Sequence, residues 1–199
     1  MKTKAAVQTL ADAPLEVVEL EVPSPGYGQV CVKLISSGIC HSQLHQMENP
    51  TLPRPLVLGH EGTGVVTGVG SGVSHVKEGD HAIVTWVPRT PIKGRPAPVL
   101  SGVTYREEPV NGNVYTWGED VLLSSEYVVP ISPDDPTDVS CLVGCAVLTG
   151  AGAVLNTAKA RPGDSVAVFG VGGVGLSAVG MASILEAVSY THLTLPTKA

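Results

Sequence analysis

Residues 37–45 read SGICHSQLH and set Cys40 directly against His41, with a second histidine, His45, four residues later. Two further stretches carry metal-ligating side chains: GHEG at residues 59–62, with His60 and Glu61, and VGCAVLTG at residues 143–150, with Cys145. A catalytic zinc takes three protein ligands, often cysteine and histidine, and leaves its fourth position to water or substrate. Cys40, His60 and Cys145 make such a set. Their wide separation suits a preformed pocket built from strand ends and a helix start, whereas a small structural knuckle would hold its ligands in tight pairs. The chemistry indicated is catalysis by a Lewis acid rather than stapling.

The elements that must position these residues are legible in the hydropathy pattern. From Lys4 to about Pro130 short apolar or alternating runs are cut by turns: KAAVQTL, LEVVELEV, QVCVKLISSGI, LVLGHEGTGVVTGV, HAIVTWV and SEYVVPI. Such runs predict the strands of a barrel or sandwich. The dense glycines of GHEGTGVVTGVGSGV predict strands that bend or approach other backbone closely. Residues 87–120 are rich in proline, glycine and charge, and predict a long loop or lobe. Beyond SPDDPTD the period becomes helical: DVSCLVGCAVLTGAGAVLNTA predicts one or two buried helices behind an Asp138 cap.

SVAVFGVGGVGLSAVGMASILEA then supplies a short apolar strand, a glycine loop and a small-residue helix, the front half of a βαβ unit. Glycines in such a turn let backbone approach a pyrophosphate held at the helix N-terminus. The second strand is expected at once. Instead VSYTHLTLPTKA follows, with the mixed polarity of irregular chain and no strand ending in an acidic residue. Val188 to Thr197 reads like the translation of a sequencing-library adapter, so residues 188–199 are expected to be a non-native tail.

The combination of CHS, GHEG and GC ahead of GVGGVG resembles the N-terminal half of a zinc-dependent alcohol dehydrogenase of the medium-chain dehydrogenase/reductase family, over about residue 4 to Ala187. The resemblance implies a GroES-like β-barrel catalytic domain over residues 1–150, then the first strand and helix of a Rossmann domain, a doubly wound parallel sheet, over 151–187. It implies Cys40, His60 and Cys145 as ligands of one catalytic zinc. Ser42 would take the alcohol proton, His45 would pass it toward solvent, and Glu61 would stand beside the metal as a carboxylate partner or transient ligand. His41 and Thr149 would face a nicotinamide cofactor, NAD or NADP, with Gly170, Gly172, Gly173, Val174 and Gly175 cradling its phosphates. Trp86 would line the substrate pocket and favour small alcohols. The implied reaction interconverts an alcohol and an aldehyde or ketone by hydride transfer. The resemblance also implies a homo-oligomer for the intact protein.

The sequence departs from that family twice. The lobe from Pro88 to Trp117 has none of the cysteines that hold a structural zinc in many relatives, so that second zinc is expected to be absent. Gln43 stands where relatives usually carry an aspartate that orients the histidine ligand, which predicts a different hold on His60 and weaker zinc binding. Two other readings compete: a non-catalytic zinc-binding fragment that exposes apolar surface for want of a full Rossmann sheet, and a zinc-independent quinone-reductase-like member of the superfamily, against which the ligand set argues.

Composition narrows the classes further. The 199 residues carry a formal net charge of -6 with no long basic run, unlike a nucleic-acid binder. No stretch is apolar for the roughly 18 residues of a membrane span, and no signal peptide precedes the first strand, so a cytoplasmic protein is expected. Cys31 and Cys141 then read as small buried hydrophobes, and His75 and His81, flanking KEGD, as solvated turn residues.

Overall fold

The structure is a computed structural model that describes residues 1–90, 102–112 and 114–187, together with the backbone of 189–193. The expected lobe lies partly outside the described residues, and the tail residues 194–199 lie wholly outside them. The chain divides into two compact units, Met1–Gly144 and Cys145–Ala199.

The first unit begins with β1 (Lys2–Gln8) and β2 (Glu16–Glu21), antiparallel from Lys2 opposite Glu21 to Val7 opposite Glu16. β3 (Gln29–Ser37) leads through a tight loop into α1 (Ser42–Glu48). Then come β4 (Leu56–Val57), β5 (Glu61–Val69), β6 (His81–Thr85), β7 (Thr104–Tyr105), β8 (Glu108–Pro109), β9 (Asp120–Ser124), β10 (Val128–Pro130) and the single-turn α2 (Thr137–Ser140). Among the described residues the strands form two antiparallel sheets, ordered β4-β1-β2-β7-β8 and β10-β6-β5-β3-β9.

Alternation along KTKAAVQ explains β1: Thr3, Ala5 and Val7 turn inward while Lys2 and Lys4 face water. Val7 and Leu20 of one sheet join Val30, Val32, Val84 and Leu122 of the other in one buried cluster. Each such side chain contributes roughly 1.5–3 kcal/mol of burial energy. Residues 115–120 strap the sheets together. The Ala6 amide donates to the Trp117 carbonyl at 3.0 Å, the Glu119 amide to Lys4 at 2.8 Å and the Leu34 amide to Glu119 at 2.8 Å. Tyr115, at the head of this strap, is 1% exposed, and its hydroxyl accepts the Leu122 N–H at 3.0 Å. Burial pushes the Tyr115 phenol well above its ordinary pKa.

Three local expectations are corrected here. Pro136, not Asp138, is the N-cap of α2, and Asp138 lies in the first turn, where a carboxylate complements the positive end of the helix. His75 and His81 are half-buried rather than solvated. The His75 ring lies 3.1 Å from the Val128 carbonyl through Nε2, and His81 opens β6 with its Nδ1 buried. The apolar neighbours on each side of KEGD pull both rings onto the sheet.

A helical run starts at Val143–Val147, wound in wide π-type turns that begin at the end of the first unit, and continues in the second through α3 (Leu148–Gly152) to a second wide segment, Ala153–Ala158. β11 (Ser165–Phe169) follows, then α4 (Gly173–Ile184) and β12 (Ser189–Leu193). Val154, Ala178 and Ala182 form its small core with Val166 and Val168 beside them. β12 pairs in parallel with β11, from Ser165 opposite Ser189 to Phe169 opposite Leu193. Irregular chain was the expectation for 189–193, and the strand corrects it. Main-chain pairing is indifferent to side-chain polarity, so the open edge of β11 can take up any extended segment that a short link delivers. Phe169, Leu176 and Ile184 of this unit stay exposed.

Candidate metal centre

The centre in the first unit forms where β3 ends, α1 begins and β5 begins. The loop after Ser37 carries Cys40, half-buried, one residue before the His41 N-cap of α1. His60 and Glu61 stand at the entrance of β5, and Glu61 is 3% exposed. Ligand atoms of Cys40, His60 and Glu61 lie within 4.8 Å of one another. Bonds of about 2.0–2.3 Å to one ion would draw these atoms together by roughly an ångström, a small side-chain adjustment. The donor set, one thiolate, one imidazole and one carboxylate, therefore fits zinc. Burial lowers the pKa of His60, which favours the neutral imidazole a metal requires.

Backbone packing fixes each of these residues. The Gly38 amide donates to the Glu61 carbonyl at 3.0 Å, and the Glu61 amide donates to Thr116 Oγ1 at 3.3 Å. Thr116 Oγ1 also lies 2.8 Å from Ser37 Oγ, so the strap and the ends of β3 and β5 share one polar knot. Gly59 holds φ at +96°, and a Cβ there would come within 2.6 Å of Thr116 Oγ1 and the Trp117 amide. Only glycine can turn the chain there and still deliver His60. At Gly38 a Cβ would lie 2.7 Å from the Glu61 carboxylate. The absence of a side chain at residue 38 thus sets where Glu61 rests.

Gln43, on α1 and 2% exposed, takes the position beside His60. Its Oε1 accepts the Gly59 N–H at 2.7 Å, and its Nε2 lies 2.5 Å from His60 Nδ1. Around the rim, the Ser42 hydroxyl donates to Cys40 Sγ at 3.2 Å. His41 and His45 are exposed with ring centroids 5.1 Å apart. Trp86, 52% exposed just past the end of β6, has its ring 6.3 Å from that of His60. Neither the bond between Gln43 and Gly59 nor the Gly38 contact with Glu61 is signalled by residue spacing, although the glycine density of GHEG marks a close approach.

The second unit holds the glycine turn. Gly170, directly after β11, has φ +92°, and a Cβ on Gly175 would lie 1.9 Å from the Gly170 carbonyl oxygen. Gly172 is the N-cap of α4, with no atom inside 4 Å of the place a Cβ would take, and Gly173 and Val174 open the helix. Bare backbone with open space ahead of a twelve-residue helix is a fit for a phosphate group. Thr149 is exposed on α3, and Cys145, which opens this unit, is buried.

Residues 26–133 match the family model of the alcohol dehydrogenase GroES-like domain. The chain belongs to this family. S-(hydroxymethyl)glutathione dehydrogenase of Escherichia coli O1:K1 / APEC is 37% identical over 203 residues, 90% of this chain and 55% of the relative. The chain thus spans about half the length of the curated relatives it matches. Among solved structures, an alcohol dehydrogenase zinc-binding domain protein of Burkholderia ambifaria superposes with a TM-score of 0.86 at 27% identity, over 96% of this chain and 58% of that one. Benzyl alcohol dehydrogenase of Acinetobacter calcoaceticus gives 0.85 at 28% identity, over 96% and 58%. The GroES-like fold that the family resemblance implies is therefore the fold of the first unit. No helix among the described residues is long and apolar enough to cross a membrane.

Proposed function

We propose that the chain carries the catalytic zinc domain, to about residue 150, and the opening of the cofactor-binding domain of a cytoplasmic NAD(P)-dependent alcohol dehydrogenase. The observation that carries the reading is the gathering of Cys40, His60 and Glu61 within 4.8 Å in a chain that carries the alcohol dehydrogenase GroES-like domain. Cys145 is the third ligand in this reading. Its support is covalent: Gly144 is pinned by the Thr85 hydroxyl, which donates to its carbonyl at 2.6 Å, and Thr85 pairs opposite Glu61. The next residue along the chain is Cys145.

Zinc bound by Cys40, His60 and Cys145 would supply Lewis acidity toward an alcohol or carbonyl oxygen, and a nicotinamide would supply the hydride acceptor. The protein's own groups do the rest. Ser42 takes the hydroxyl proton, because a serine oxygen can accept from substrate while its hydrogen donates onward. His45, exposed on the same helix, passes that proton to water. His41 and Thr149 face the cofactor, and Gly170, Gly172, Gly173, Val174 and Gly175 present main-chain amides to its phosphates. Glu61, whose carboxylate rests against Gly38 among the ligand atoms, is available during metal or ligand exchange. Trp86 restricts the pocket to small alcohols, and rapid turnover of bulky aromatic alcohols would overturn that part.

Metal analysis of the purified chain tests the reading: about one zinc per chain is expected. Replacement by cobalt should give an intense thiolate-to-metal charge-transfer band that weakens in Cys40→Ser and in Cys145→Ser. Cobalt bound without that band would overturn the assignment.

A further inference from the structure

His41 and His45 stand outside the ligand set just described, at a spacing that would let both rings reach one ion. They are four residues apart, His41 at the N-cap of α1 and His45 in its last turn, both exposed, with the rings edge to face at 69°. The same i, i+4 spacing puts two histidines on one helical face in zinc-binding helices. We propose that this pair is a second binding site, for a late first-row divalent cation such as Ni2+, Cu2+ or excess Zn2+.

The distance supports it quantitatively. A metal bond of about 2.0–2.1 Å to a ring nitrogen puts the ion about 3.2 Å from the ring centre. Two centroids 5.1 Å apart then subtend about 105° at the ion, between the square and tetrahedral angles. Imidazole suits zinc, copper and nickel, and water fills the remaining positions because the face is open. The ligands are side-chain nitrogens, so the site does not draw on the helix amides. It is also chemically distinct from the neighbouring centre: Ser42 separates His41 from the buried Gln43 and donates to Cys40 Sγ, and no thiolate belongs to the histidine pair. A cation held here would occupy the groups that the proposed function assigns to cofactor and proton transfer, so excess metal would inhibit. That consequence rests on the functional reading, whereas the binding does not.

The test is a titration of the zinc-loaded 199-residue chain with Ni2+, followed by calorimetry, by nuclear magnetic resonance of the histidine rings and by ultraviolet absorption. One further equivalent should bind, broadening the His41 and His45 ring signals without a thiolate-to-nickel band and without release of zinc. His41→Gln and His45→Gln should each weaken it by at least about tenfold, the scale on which even indirect supports of a metal site act. His75→Gln and His81→Gln should leave it unchanged, and circular dichroism with zinc content verifies that each variant is folded. Unchanged nickel affinity in either His41→Gln or His45→Gln, or nickel entering only with a thiolate band, would overturn the proposal. Absence of zinc from the purified chain would instead count against the functional reading alone.

Discussion

Gln43 bridges Gly59 and His60: its Oε1 accepts the Gly59 N–H at 2.7 Å while its Nε2 sits 2.5 Å from His60 Nδ1. Because the Gly59 amide can only donate, it fixes which end of the side chain is oxygen, and the amide nitrogen faces the imidazole. An amide N–H donates, so Nδ1 accepts, and in the neutral ring the proton then sits on Nε2. A metal at Nε2 must displace that proton or turn the amide over and abandon the Gly59 bond. A carboxylate in the same place would accept from Nδ1–H and leave the Nε2 lone pair ready.

Gln43→Asp should therefore tighten zinc binding, by about 10-fold on the usual scale of such supports. Gln43→Ala should loosen His60 and leave the Gly59 N–H unpaired, lowering zinc affinity and costing about 1–3 kcal/mol of stability. Competition with a chromophoric chelator measures the first effect, and urea unfolding of the metal-free chain measures the second.

His60 should make the apo chain acid-sensitive. Burial holds its folded pKa below the unfolded value, so the unfolded chain binds more protons across that interval. The stabilisation is complete above the ordinary histidine pKa of about 6.5 and declines as pH falls below it. Urea midpoints between pH 7.5 and pH 5 should drop more steeply for the parent chain than for His60→Gln. Parallel slopes would refute this account.

Gly38→Ala places a methyl group 2.7 Å from the Glu61 carboxylate. Glu61 must shift, and overpacking of this kind costs about 1–3 kcal/mol. The ligand-field bands of the cobalt-substituted variant should move while its thiolate band persists. An unaltered cobalt spectrum together with an unaltered urea midpoint would show that Gly38 does not position Glu61.

Tyr115→Phe removes the acceptor of the buried Leu122 N–H and should cost about 1–3 kcal/mol with metal stoichiometry unchanged. Because the phenol is held protonated by burial, the parent chain should show no tyrosine ionisation for this residue in ultraviolet titration until it unfolds.

Much of the first unit was legible because β1 follows period two, as in KTKAAVQ, and because the glycines of GHEGTGVVTGV mark the turn into β5 and its close backbone approaches. Cys40, His60 and Glu61 were legible as metal-binding types, and the departure at Gln43 was visible too. What Gln43 does was not, because its amide is oriented by Gly59, sixteen positions later, and only the folded chain brings them together. The wide turns at Val143–Val147 and Ala153–Ala158 escaped the periodicity argument, since both share the apolar pattern of an ordinary helix. β12 escaped it because strand pairing there follows an available edge rather than a hydrophobic pattern.

Gly59 and Gly38 have a consequence for how such sites are recognised. Each keeps clear a volume that any larger residue would fill, beside Trp117 in one case and Glu61 in the other. The glycines of SGICH and GHEG are thus a record of crowding, and a search that scores them as chemistry is partly measuring how tightly an indole and an acid are shelved against bare main chain.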